Sequence, residues 1–159
     1  MGEPGQPIER AWLTRHPVEV AWHLIGCTFT VERDGVVAGG RIVEAEAYAG
    51  PSDPASHASR LAVARTAMAA TPGSVYTYLS YGIHNMMNIV AHEPDEAGGV
   101  LLRAIEPLEG IDVMHERRNG VAFAQLGKGP GSMGQALAIR PSDLGIDVMT
   151  SEVFSLYPG

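Results

Sequence analysis

The 159-residue chain predicts a single α+β domain built on a mainly antiparallel sheet, and three observations carry that expectation. A helical pattern is followed at once by two alternating runs joined at Asp34-Gly35, the signature of an antiparallel hairpin. Strand-like runs at 74–90 and 99–106 are interleaved with helical patterns at 108–118 and 131–139, without repeats or linkers. The composition, 45% hydrophobic and 18% charged, is that of a compact fold, and a chain of this length buries enough surface to need no metal or disulfide staple.

In chain order, residues 1–10 are rich in Gly, Pro and Glu and read as a loose N-terminal arm. His16 to Gly26 reads as a short helix: Pro17 sits in the first turn, Val18, Ala21, Trp22 and Ile25 recur at helical spacing, and Gly26 stops it. Cys27–Arg33 and Val36–Tyr48 alternate as the two strands of the hairpin, the second loosened by Gly39-Gly40. Gly50-Pro51-Ser52-Asp53-Pro54 marks a loop, after which an Ala-rich stretch runs to Thr71 with partial helical character. Ser74–Val90 has strand composition broken at Gly82, and Gly99–Glu106 is a further strand. Leu108–Arg118 reads as a helix with Ile111, Met114 and His115 on one side, and Gly131–Ile139 as a second one.

Cys27 has no partner thiol, which excludes an internal disulfide and a Cys-based zinc site and fits a reducing compartment. The first residues lack the basic and apolar run of a signal peptide, and no stretch has the length of a membrane span. A cytoplasmic or nucleoid location is therefore expected, with no membrane partner. The net charge of −7 argues against a polyanionic partner, but its distribution argues the other way. No acid occurs from Pro54 to His92 or from Arg117 to Arg140, and those windows hold Arg60, Arg65, Arg117, Arg118, Lys128 and Arg140, six of eleven cations.

Strand periodicity places Ile42, Glu44, Glu46 and Tyr48 on one face and Val43, Ala45 and Ala47, packing inward, on the other. The carboxylates read either as a solvated strand face or as groups for general-base work on a glycosidic bond, with Tyr48 as a neighbouring aromatic platform. Tyr76, Tyr78 and Tyr81 fall within six residues. Alternation puts Tyr76 and Tyr78 on one face, while Tyr81 is out of phase before a releasing Gly82, so a phenol should project from the tip. Aromatics in an acid-free segment suit a nucleobase-stacking surface, and core packing is the alternative. His57, His84 and His92 have no metal-ligand spacing, so no metal is expected, and no cofactor motif is present. Gly-Lys-Gly-Pro-Gly at 127–131 lacks the ending of a nucleotide-binding loop, though its amides and Lys128 could meet a backbone phosphate.

Five blocks then occur in a telling order. They are Arg41-Ile42-Val43-Glu44-Ala45-Glu46-Ala47-Tyr48; Asp53-Pro54-Ala55-Ser56-His57; Tyr76-Thr77-Tyr78-Leu79-Ser80-Tyr81-Gly82-Ile83-His84 with Asn88; Val100 to Gly110; and Gly129-Pro130-Gly131 with Gln135 to Ile139. Together they resemble the alkyladenine (3-methyladenine, methylpurine) DNA glycosylase family over about residues 16–150. The resemblance implies a curved antiparallel sheet with flanking helices and a protruding Tyr-bearing hairpin. It implies a monofunctional enzyme of base excision repair that acts as a monomer, without cofactor, on double-stranded DNA carrying alkylated or deaminated purines such as 3-methyladenine, hypoxanthine or ethenoadenine.

Residue by residue, the resemblance makes Glu46 the general base for water, with Arg103 beside it. Tyr48 stacks on one face of the flipped base and His57 and Tyr78 on the other, with a backbone amide near His57 offered to the base edge. Asn88 excludes guanine, and Tyr81 is the wedge that enters the duplex. The six cations of the acid-free windows are the expected phosphate ligands. Three departures accompany the likeness. Ala58–Thr66 lacks the family's Gly-rich run, Ser132 stands where a basic residue is usual, and the sequence stops at Gly159, before the family's closing segment. A non-catalytic damaged-DNA-binding module or an inactive short homologue is the alternative. A carbohydrate hydrolase using Glu44 and Glu46 is disfavoured, because neighbours on one strand face cannot flank a sugar from opposite sides.

Overall fold

A computed structural model describes residues 6–159. Six strands form one antiparallel sheet in the order β3-β4-β5-β2-β1-β6, and four helices accompany it. The strands are β1 (Thr28–Arg33), β2 (Val36–Ala49), β3 (Val75–Ser80), β4 (His84–Val90), β5 (Gly98–Glu109) and β6 (Phe154–Tyr157). The helices are α1 (Pro17–Leu24), α2 (Ala62–Met68), α3 (Ile111–Arg117) and α4 (Pro130–Ala136). The α+β expectation holds.

The β1–β2 hairpin closes at Asp34-Gly35, where both residues have positive φ (54° and 77°). A two-residue turn of that kind matches the right-handed twist of the flanking strands. β2 is the long central strand, and its pairing with β5 is irregular at Gly39/Gly40 and again between Ile42 and Ala45. A side chain at Gly40 would collide with the Glu106 carbonyl of β5, so the two backbones approach there only because the residue is glycine. The second irregularity corrects the simple alternation. Ile42, expected beside the carboxylates, is fully buried, and Val43, expected to pack inward, is 48% exposed.

The main core joins Phe29 of β1 and Phe154 of β6, whose rings stack at 5.8 Å, with Leu24, Ile42, Met87 and Met114. Arg33, at the end of β1, is buried because its guanidinium donates to both oxygens of the buried Asp143 carboxylate. β6 lies on the outer side of β1, an element the sequence pattern left unassigned.

Two expectations are corrected. Helix α1 forms where predicted, but it buries Pro17, Val20 and Leu24 and leaves Val18, Trp22 and Ile25 50%, 77% and 43% exposed. The segment carries two overlapping apolar stripes, and the one containing Pro17 fits the notch left by Gly98 on β5, where a Cβ would meet the proline ring at 2.6 Å. Of the expected loose N-terminal arm, residues 1–5 lie outside the described residues, and the remainder is tied down. Ile8 is 3% exposed and donates its N–H to the Leu156 carbonyl, while Arg10 pairs with Asp147 at 2.7 Å. Long-range partners tie down a stretch whose composition reads as a loop.

The β3–β4 hairpin pairs over six positions from Val75↔Ile89 to Ser80↔His84 and turns through Tyr81-Gly82-Ile83. β4 pairs with β5 only at Asn88, Ile89 and Val90, so the rest of the hairpin runs past the sheet. Helix α4 takes the place of a strand along that edge. A Cβ at Gly131 would lie 2.7 Å from the His84 ring, and one at Gly134 would strike the Asn85 carbonyl. Two glycines therefore let α4 seat directly on β4.

Candidate active site

The C-terminal half of β2 presents Glu44, Glu46 and Tyr48, and the register sets Glu44 opposite Ala104 and Ala45 opposite Leu102, with Arg103 between them on β5. The Arg103 guanidinium reaches both carboxylates. Its Nη1 donates to Glu46 Oε2 at 2.6 Å, and its Nε lies 3.4 Å from Glu44 Oε1. The Tyr48 hydroxyl donates to Glu46 Oε1 at 2.8 Å. Each oxygen of Glu46 thus holds a donor, while the carboxylate keeps a solvent-facing side at 42% exposure.

Beside this cluster is a small pocket, open to solvent on one side and lined by Tyr48, Ala55, His57, Met68, Tyr76, Tyr78 and Asn88. Direct partners across an antiparallel ladder share a face, so Tyr76 and Asn88, paired on β3 and β4, bring their side chains to the same wall. The Tyr76 and Tyr78 rings are 5.8 Å apart, and the His57 ring meets Tyr78 edge-on at 4.3 Å. Asn88 is buried, and its amide donates to the Tyr76 carbonyl at 3.2 Å, which fixes its rotation.

The loop after β2 is built to place His57. The Asp53 carboxylate accepts from the backbone N–H groups of Ala49 and Ala55, and the Ser56 hydroxyl caps the following turn by accepting from Ala58 N–H. The backbone N–H of His57 itself has no acceptor among the described residues.

Burial and then the Glu46 carboxylate push the Tyr48 phenol far above its ordinary range. Tyr76 and Tyr78 are raised by burial as well. The His57 imidazole is lowered by burial and by the Arg60 charge. The pocket walls are therefore uncharged aromatics next to an ion-paired carboxylate.

Six of the residues singled out from the sequence, Glu46, Arg103, Tyr48, His57, Tyr78 and Asn88, come together in this one place. Tyr81 stands apart at the hairpin tip, 94% exposed and flanked by the exposed Ile83. Tyr76 and Met68 were missed as pocket residues. The alternation that grouped Tyr76 with Tyr78 was the available signal for the first, and nothing local marked the second.

The six basic residues divide. Arg60 and Lys128 are exposed, and their side chains have no partner among the described residues. Arg140 is exposed with Asp34 at 3.5 Å, and Arg65 donates to the Ala58 carbonyl. Arg117 and Arg118 are engaged inside the chain. Arg117 donates to the Ala136 carbonyl, and Arg118 to Gln135, Ser132 and the Gln125 carbonyl, so both guanidinium groups bind α3 to α4. Among the described residues no helix is long and apolar enough to cross a membrane.

The sequence profile of the methylpurine-DNA glycosylase (MPG) family matches residues 11–158. A protein of Chlorobaculum parvum named "Putative 3-methyladenine DNA glycosylase" is 47% identical over 134 residues, covering 83% of this chain and 64% of its own. Proteins of the same name from Chlorobium luteolum and Clostridium perfringens are 40% and 38% identical, covering 94% and 91% of this chain and 77% and 76% of theirs. The chain thus spans less than two thirds of the length of the first relative and about three quarters of the other two. With a profile matched over nearly its whole length, this chain belongs to the methylpurine-DNA glycosylase family.

Proposed function

We propose that this chain acts on double-stranded DNA as a monofunctional glycosylase, turning a damaged purine out of the stack and hydrolysing its N-glycosidic bond. One observation carries the reading: an uncharged aromatic pocket opens beside a carboxylate held by an arginine, and the hairpin that forms one wall of the pocket ends in an exposed tyrosine.

Each part has a physical task. A base within a duplex is unreachable, and extruding it costs a few kcal/mol, which a wedge at the vacated position and stacking in the pocket offset. Tyr81, exposed at the hairpin tip, would be that wedge. Tyr48 on one side, with His57 and Tyr78 on the other, would sandwich the purine. A neutral imidazole and neutral phenols suit a cationic alkylated base, since aromatic faces attract cations by about 0.5–2 kcal/mol. The unused His57 N–H faces no competing acceptor and can donate to a base edge. Glu46 would accept the proton of an attacking water and stabilise oxocarbenium character on the sugar, with Arg103 holding its other oxygen. The one lysine, Lys128, does not line the pocket, which fits hydrolysis through water rather than through an amine.

The test is single-turnover excision of hypoxanthine or 1,N6-ethenoadenine from duplex oligonucleotides, read as alkali-labile abasic sites. Glu46→Gln is expected to lose about 10²–10⁴-fold in excision while still binding damaged duplex, because an amide keeps the shape but accepts no proton. Excision within a few-fold of the parent would remove Glu46 as base. Tight binding to damaged duplex by the parent without any excision would leave a non-catalytic binding module.

A further inference from the structure

We infer that the hydroxyl of Tyr48 is a positioning group for Glu46, separate from any contact its ring makes with a base. The inference rests on the reading of Glu46 as general base and adds a second task to a residue so far given only stacking.

The geometry makes the case. Arg103 alone cannot fix the Glu46 carboxylate, because its guanidinium is shared with Glu44 and grips only Oε2. A carboxylate held at one oxygen still turns about its terminal bond. The Tyr48 hydroxyl holds the other oxygen, so the plane of the carboxylate is set at two points. The phenol comes from two residues along the same strand, and its ring is anchored by packing against the cluster of Met68, Tyr76 and Val90. That ring also lines the pocket. A base stacked on it is thereby set at a fixed offset from the carboxylate, because one rigid aromatic carries both contacts. The charged and titratable groups around the pair are Arg103 on β5, Glu44 on β2 and Tyr78 on β3. The donor role persists across the working pH range, since burial and the carboxylate hold the phenol protonated.

The discriminating variant is Tyr48→Phe, which keeps the ring and removes only the donor. Binding to ethenoadenine duplex should stay within about two-fold of the parent. Single-turnover excision should fall roughly 10- to 100-fold, the effect of losing one hydrogen bond to a charged group. A Phe variant with the parental excision rate overturns the positioning role. Measured in parallel, Glu46→Gln separates the two failures. If it excises normally, the base reading itself falls; if it is inactive while Tyr48→Phe is unimpaired, only the positioning role falls. A second readout needs no excision. In Glu46→Gln the Tyr48 phenol should ionise at lower pH by tyrosinate absorbance, and an unchanged titration would show that the two groups are not coupled and overturn the inference.

Discussion

Nδ1 of His57 lies 3.2 Å from the Tyr76 hydroxyl, so an element of the loop after β2 is latched to the first strand of the protruding hairpin. Burial and the Arg60 charge lower the His57 imidazole. The fold thus opposes its protonation, whereas an unfolded histidine takes up a proton near pH 6.5. Stability should therefore be level above about 6.5 on this account and fall as pH drops below it, because there the unfolded chain binds the extra proton. In thermal melts between pH 5 and 8, His57→Gln should show a shallower acid-side decline than the parent. Parallel declines would show that His57 does not supply this part of the pH dependence.

Tyr81 acts through the duplex in the proposed reaction. Being almost fully exposed, it can be cut to alanine at a stability cost within about 0.5 kcal/mol. Tyr81→Ala should slow excision from fully paired duplex and spare a lesion placed in a bulge, where unstacking is already done. Equal losses on both substrates would count against a wedge.

In the proposed reaction Asn88, whose amide nitrogen donates to the Tyr76 carbonyl, is the residue that excludes guanine. Asn88→Ala should admit guanine-type bases more readily, at a stability cost of about 1 kcal/mol for the lost buried hydrogen bond. The measurement is the ratio of excision rates for a methylated guanine and hypoxanthine, and an unchanged ratio removes Asn88 from selectivity.

The division among the basic residues changes what their variants should do. Arg60→Ala and Lys128→Ala should leave the melting temperature alone and each flatten the log–log salt dependence of duplex binding by about 0.9. Arg118→Ala should lower stability by about 1–3 kcal/mol, because it strips partners from Gln135, Ser132 and the Gln125 carbonyl at once. Salt titrations and melts on the same three variants check both statements. A flattened slope in Arg118→Ala without loss of stability would return it to the DNA-facing set.

What could be read in advance was local or ordered along the chain. Asp34-Gly35 announces its turn because a positive φ at two successive residues is a demand the residues themselves meet. The tyrosines of β3 follow from a period of two, and Glu46, Arg103 and Asn88 entered through their family-like order. The misread features depend on distant partners. Nothing near Ile8 says that the backbone of β6 will accept its N–H, and nothing near Arg118 says that Gln135 will take its charge-bearing arm. Helix α1 offered two apolar stripes of equal merit, and only the gap at Gly98 of β5 decided between them. Alternation along β2 failed between Ile42 and Ala45, where its pairing with β5 is irregular, and such an irregularity leaves no compositional mark.

The narrow join between β4 and β5 makes the hairpin a cantilever, clamped at Asn88–Val90 and braced along one edge by α4. The blade at its free end and the tyrosine wall near its root belong to one ribbon, so force on Tyr81 is borne where Asn88 meets Tyr76. Removing two residues from each strand would keep the alternation of faces yet draw Tyr81 back by about 3 Å per residue removed from a strand, a change no substitution inside the pocket could compensate.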